Sequence, residues 1–176
     1  METIFELIAR DDGNAIRELL AGDPKAVDAR DEVGVSPLTH ALYGGRQAAF
    51  EAIRDTGELT DPWDRLLAGE STGLPAPDAW SSDGFTALHL AAFAHNPAAA
   101  RLLLEAGADP DTLATATFAR VTPLGTCAFA NEPEVARVLL EHGADPSIAE
   151  REGGTPLAVA EANGYTEVAE ILRGAS

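Results

Sequence analysis

Apolar residues recur along this chain in short paired stripes at helical spacing, with neither sustained strand-like alternation nor one long apolar run. Four segments, VGVSPLTHALYGG, DGFTALHLAAFAHN, ARVTPLGTCAFAN and GGTPLAVAEANG, carry the same pattern, and a second apolar helix stripe follows each. Their anchors are Ser36, Thr86, Thr122 and Thr155, which lie 50, 36 and 33 residues apart (86 − 36, 122 − 86, 155 − 122). Steps near 33 predict a solenoid of helix pairs, each unit stacked on its neighbours.

The local chemistry of each unit supports that reading. Ser36, Thr122 and Thr155 are suited to capping a helix, and Pro37, Pro123 and Pro156 follow where a missing N–H costs nothing. Small residues come next, as in Ala91-Ala92 and Cys127-Ala128, so short inner helices can pack closely. The second helices, AAARLLLEAG and EVARVLLEHG, are expected to stop at Gly107 and Gly143, and Asp109-Pro110 and Asp145-Pro146 turn the chain out again. At the ends, Ile4, Phe5 and Ile8 form one stripe with Glu2 and Glu6 facing away. Val168, Ile171 and Leu172 do the same against Glu167, Glu170 and Arg173. A terminal unit needs such a polar outer face, so the array is expected to be complete.

The step of 50 exceeds one period and marks an irregular middle between Gly57 and Ser82. Asp61 and Pro62 predict an inner helix in DPWDRLLAGE, whereas Pro75 and Pro77 make STGLPAPDAW an extended crossing with no outer helix. Trp63 and Trp80 fall here, and each is weighed as filler of the missing helix's place or as a binding hot spot.

TALHLAA at Thr86 to Ala92, GADP at Gly107 to Pro110 and at Gly143 to Pro146, and TPLAVA at Thr155 to Ala160 resemble the ankyrin repeat. The resemblance covers nearly the whole chain. It implies an all-α fold, a solenoid of helix-turn-helix units joined by β-hairpin-like loops. One domain is expected over 1–176, with repeats near 1–30, 31–58, a degenerate 59–80, then 81–113, 117–149 and 150–176. The family's histidine stands at His89 but is replaced by Thr39, Gly125 and Ala158, and those repeats are expected to hold their hairpins less tightly.

The resemblance also implies partner binding on the concave side, through hairpin tips and the exposed edge of the inner helices. The tips are Asp31 to Val35, Ser81 to Phe85, Thr117 to Val121 and Glu150 to Gly154. Seven residues after each anchor stand Tyr43, Phe93, Phe129 and Ala162, and one residue before stand Val35, Phe85, Val121 and Gly154. Stacked, these rows predict an apolar stripe rimmed by Glu32, Asp83, Glu150 and Glu152, the anatomy of a protein interface. The competing reading makes the stripe core. Trp80 is added as a candidate contact, as are Arg120 and Arg151, which could pair with a partner's carboxylates.

Charge then narrows the class of partner. With 29 acidic and 12 basic residues the formal charge is −17, and a single lysine, Lys25, leaves no clustered basic surface for phosphates. Nucleic acid is excluded as a partner, and a basic protein is expected, its approach accelerated by long-range attraction. No run is long enough for a membrane span or a signal-peptide core, so the protein reads as soluble and cytoplasmic, and monomeric in isolation. The Ala, Arg and Asp bias with almost no lysine points to a GC-rich bacterial genome. One cysteine and four scattered histidines offer no metal cluster, and no nucleophile–base pair or Gly-rich phosphate loop is present. The chain therefore reads as a non-enzyme without cofactor, a protein-interaction module. Two further roles remain open: an immunity or inhibitor protein that occludes a toxin or enzyme, and a regulatory scaffold subunit of a metabolic enzyme.

Overall fold

The computed structural model describes residues 2–56, 58–116, 119–150 and 154–175. Among them the chain forms eleven α-helices, and pairing of strand type is confined to one antiparallel bridge between Trp80 and Thr86. The helices come in pairs: α1 (Ile4–Ala9) with α2 (Gly13–Gly22), α3 (Pro37–Tyr43) with α4 (Gln47–Thr56), then α5 (Pro62–Leu67) alone. After these come α6 (Ala87–Phe93) with α7 (Pro97–Glu105), α8 (Pro123–Ala130) with α9 (Pro133–Glu141), and α10 (Pro156–Asn163) with α11 (Thr166–Gly174). No helix among the described residues is long and apolar enough to cross a membrane.

Capping fixes where each inner helix begins. Thr39 donates its N–H to the Ser36 hydroxyl at 3.2 Å, Gly125 to Thr122 at 3.1 Å and Ala158 to Thr155 at 3.3 Å, with proline at the first helical position each time. At the amino end Thr3 and Glu6 form a reciprocal capping box on α1. Asp61 starts α5 by accepting from the N–H groups of Trp63 and Asp64.

Two layers result. The inner row runs α1, α3, α5, α6, α8, α10, each against the next, while α2 packs on α4, and α7 on α9 on α11, to form the outer row. Leu38, Leu66, Leu88, Leu124, Ile53, Leu103 and Leu139 lie fully buried between the layers. Alanines at 41, 91, 92 and 128 and Cys127 let the inner helices approach closely. Gly13 does so for the outer row, because a Cβ there would stand 2.6 Å from the Ala48 carbonyl oxygen.

The outer row is broken once. After α5 the chain makes no second helix before Ala87; instead Asn96 at the start of α7 donates its side-chain N–H to the Glu70 carbonyl at 3.0 Å and accepts from the Ser71 hydroxyl at 3.1 Å. That pins the crossing segment, with Pro75 buried, beside α7. Trp63 packs against the core, as its filler reading expects.

Candidate functional site

The hairpin tips are built by short polar loops that close on themselves. Asp31 accepts from the N–H groups of Val33 and Val35 at 3.0 and 2.8 Å, and Ser81 donates its N–H to the Phe85 carbonyl at 2.8 Å. Gly34 and Gly84 turn through φ of 88° and 89°, a region closed to most side chains. The tips then dock on one another: the Ser82 hydroxyl donates to the Gly34 carbonyl at 3.1 Å, and Thr115 N–H to the Gly84 carbonyl at 2.9 Å. Hairpins 31–35 and 81–85 thus touch directly, although α5 lies between their inner helices.

Beneath the tips, two buried groups and one half-buried carboxylate tie one unit to the next. His89 Nδ1 accepts from the N–H and hydroxyl of Thr86 at 3.3 and 2.7 Å, which leaves Nε2 protonated to donate to the Val121 carbonyl at 3.0 Å. Burial pushes the ring's pKa down to about 4, so it is neutral at physiological pH. Where the histidine is missing, carboxylates take over. Glu150, from the following hairpin, occupies the space that a side chain at Gly125 would fill, and its Oε1 accepts from both the N–H and the hydroxyl of Thr122 at 2.9 Å. In the second unit Asp64 of α5 accepts from the Ser36 hydroxyl and pairs with Arg30 at 3.4 Å. Repeats lacking the histidine were expected to hold their hairpins less tightly; at Thr122 both donors that His89 would satisfy find an acceptor on the next hairpin, and at Ser36 the hydroxyl finds one on α5. Burial raises both carboxyls, Asp64 to about 6.

Above this layer lies the aromatic row. Tyr43 is 38% exposed and Phe129 65%, while Phe93 is half-buried. Tyr43 stacks edge-on against Phe93 with ring centroids 5.7 Å apart, so residues fifty positions apart in sequence meet on one face. Burial, then the charge of Asp83 and a hydrogen bond to it, hold the Tyr43 phenol above its ordinary range. Phe85 is the exception among the predicted contacts. It is 0% exposed, wedged between Tyr43, Phe93 and His89, and so belongs to the core, because its tip folds inward over the inner helices.

Two hollows flank this row. A groove of 610 Å³ is lined by Val33, Val35, Tyr43 and Asp83 among others, and a recess of 290 Å³ by Phe93, Val121, Gly125, Phe129, Glu150 and Val159. Arg120 stands on the lining of the recess, and Glu32 is exposed beside the groove. Trp80 is 44% exposed at the base of its tip. Arg151, Glu152 and Thr117 lie outside the described residues. Val33, 70% exposed on the first tip, was not singled out from sequence; it sits two residues before Val35, and the alternation along a hairpin is the signal that could have found it. Cys127 is buried, and that burial raises its thiol well above the ordinary range, which leaves it inert.

Comparison with known families adds two matches. The family described as "Ankyrin repeats (3 copies)" matches residues 5–114, and "Ankyrin repeat" matches residues 120–151. No curated protein matches the chain.

Proposed function

This chain belongs to the ankyrin-repeat family, whose repeats are generally protein–protein interaction modules, and on that premise we propose that it binds a basic protein partner through the tip and inner-helix face. The observation that carries the reading is the exposure of Tyr43 and Phe129 on the same face as Val33 and Val35, in a protein whose other large apolar residues are mostly buried. Exposed aromatics flanked by acids are what a partner's hot spots require. Tyr43, Phe93, Phe129, Val35 and Val121 form the apolar centre of the proposed contact, with Glu32 and Asp83 on its rim and Arg120 and Arg151 as its cationic positions. The formal charge of −17 favours a basic partner and rapid association.

Occlusion of a toxin or enzyme is one use of such a face, in a monomeric cytoplasmic protein. Assembly with a metabolic enzyme through the irregular middle is the other, and the exposure of Trp80 favours it. The test is affinity capture from lysate of the cells that make the protein, by the wild-type chain and by the Tyr43→Ala/Phe129→Ala and Trp80→Ala variants. Loss of a captured protein with the double variant alone supports the tip and inner-helix face. Capture unaffected by the double variant overturns it, and loss with Trp80→Ala instead assigns assembly to the middle segment.

A further inference from the structure

Within the proposed binding face, the recess between α6, α8 and α10 has walls and floor of different character. Phe93, Phe129, Val121 and Val159 make it apolar, but Glu150 brings a carboxylate into it over Gly125. Gly125 and Phe129 are four residues apart on α8 and so share one helix face, a turn apart. The carboxylate therefore lies about 5–6 Å along the helix from the base of the exposed ring. One of its oxygens, Oε1, is committed to Thr122; the other, Oε2, accepts no hydrogen bond and joins no ion pair among the described residues. Arg120, the other charge on the lining, forms no ion pair with it.

An aromatic and aliphatic slot ending in a carboxylate oxygen left unpaired among the described residues suits a side chain with an apolar stem and a compact cationic head. We infer that this recess receives a lysine side chain of the partner, its methylenes between Phe93 and Phe129 and its ammonium on Glu150 Oε2. This inference rests on the binding face proposed above and names the chemistry of one anchor within it. Lysine fits better than arginine because a guanidinium draws its advantage from a bidentate carboxylate, and Thr122 already holds one oxygen here. The volume of 290 Å³ lies at the lower limit of ligand pockets and suits a single side chain. A lysine stem can bury its methylenes against rings while its charge stays paired, and the ring faces attract the cation further.

The test uses the full isotopically labelled chain and three probes, Nα-acetyl-lysine methylamide and its arginine and norleucine counterparts, followed by NMR titration. The lysine probe should shift the amide signals of Thr122, Gly125, Phe129 and Glu150, and bind about fivefold tighter than norleucine. Glu150→Gln keeps an acceptor for Thr122 and should bring the two probes to within about twofold. Arg120→Gln removes the like charge and should increase the preference for lysine. Norleucine binding as tightly as lysine, arginine binding more tightly, a preference that survives in Glu150→Gln, or no shift of these signals overturns the inference. Such results leave the wider binding face standing, since that is decided by capture with the Tyr43 and Phe129 variant.

Discussion

Replacing Asp64 by asparagine should change how stability depends on pH, in a direction the structure fixes. Asp64 is buried on α5, where burial raises its carboxyl against the opposing pull of the Ser36 hydroxyl and Arg30, and the negative charges of Asp61 and Asp28 raise it further. The net result is a value of about 6 against an ordinary 3.8. The folded protein thus holds this proton more tightly than the unfolded chain does. Its contribution is full below 3.8 and is lost as pH rises through about 6. At about 1.4 kcal/mol per pH unit the loss comes to about 3 kcal/mol, and the side chain is too buried for solvent to screen it much.

His89 runs the other way. Burial lowers it from 6.5 to about 4, so its contribution is full above 6.5 and is lost as pH falls toward 4, again by about 3 kcal/mol. In the wild-type protein the two slopes oppose each other over nearly the same range. Asp64→Asn keeps an oxygen for the Ser36 hydroxyl but cannot titrate, so the His89 slope should emerge. The assay is urea denaturation followed by far-ultraviolet circular dichroism at several values between about pH 4 and about pH 7.5. Subtracting variant from wild type cancels the remaining carboxylates. That difference should favour the wild type by about 2 kcal/mol more at the acid end than at the neutral end. A difference that stays constant with pH would refute the reasoning.

Three shorter predictions follow from close approaches and burial. Gly125→Ala places a methyl where the Glu150 carboxylate sits, freeing two Thr122 donors, and should cost about 1–3 kcal/mol in a thermal or urea melt; an unchanged midpoint would show that the clamp contributes nothing. Gly13→Ala raises helix propensity by about 1 kcal/mol, yet the Ala48 carbonyl 2.6 Å away is backbone and cannot yield cheaply, so the variant should be less stable; a gain in stability would mean that α2 and α4 separate readily. Cys127 should react with a thiol reagent only when the protein unfolds, and rapid labelling in native buffer would contradict its burial.

How far the sequence carried the reading can be seen at particular residues. Helix starts were legible because a hydroxyl residue followed by proline leaves the backbone few other choices, as at Ser36, Thr122 and Thr155. The missing outer helix was legible too, since Pro75 and Pro77 forbid it. Burial at a tip was harder to read. Val35, Phe85 and Val121 hold equivalent positions before their anchors, yet Phe85 is sealed while the other two stay half-open. What decides the difference is its meeting with Tyr43 and Phe93, an arrangement set by how the hairpins dock across α5 and not by spacing. The use of Glu150 in place of a histidine was likewise hidden, because the acid lies one hairpin further on and only stacking brings it over Gly125.

The interruption in the outer row also has a bearing on cooperativity. In a one-dimensional array each unit is held only by its neighbours, and stability is transmitted from interface to interface. At α5 that transmission passes through one short helix with its Asp64 contacts to Ser36 and Arg30, the Asn96 bonds to the crossing segment, the Ser82–Gly34 bond and the Tyr43–Phe85–Phe93 rings, with no outer helix between α4 and α7 to share it. With one layer missing there, the blocks on either side are expected to part at this point first under heat or force, each keeping its own helix pairs until it melts.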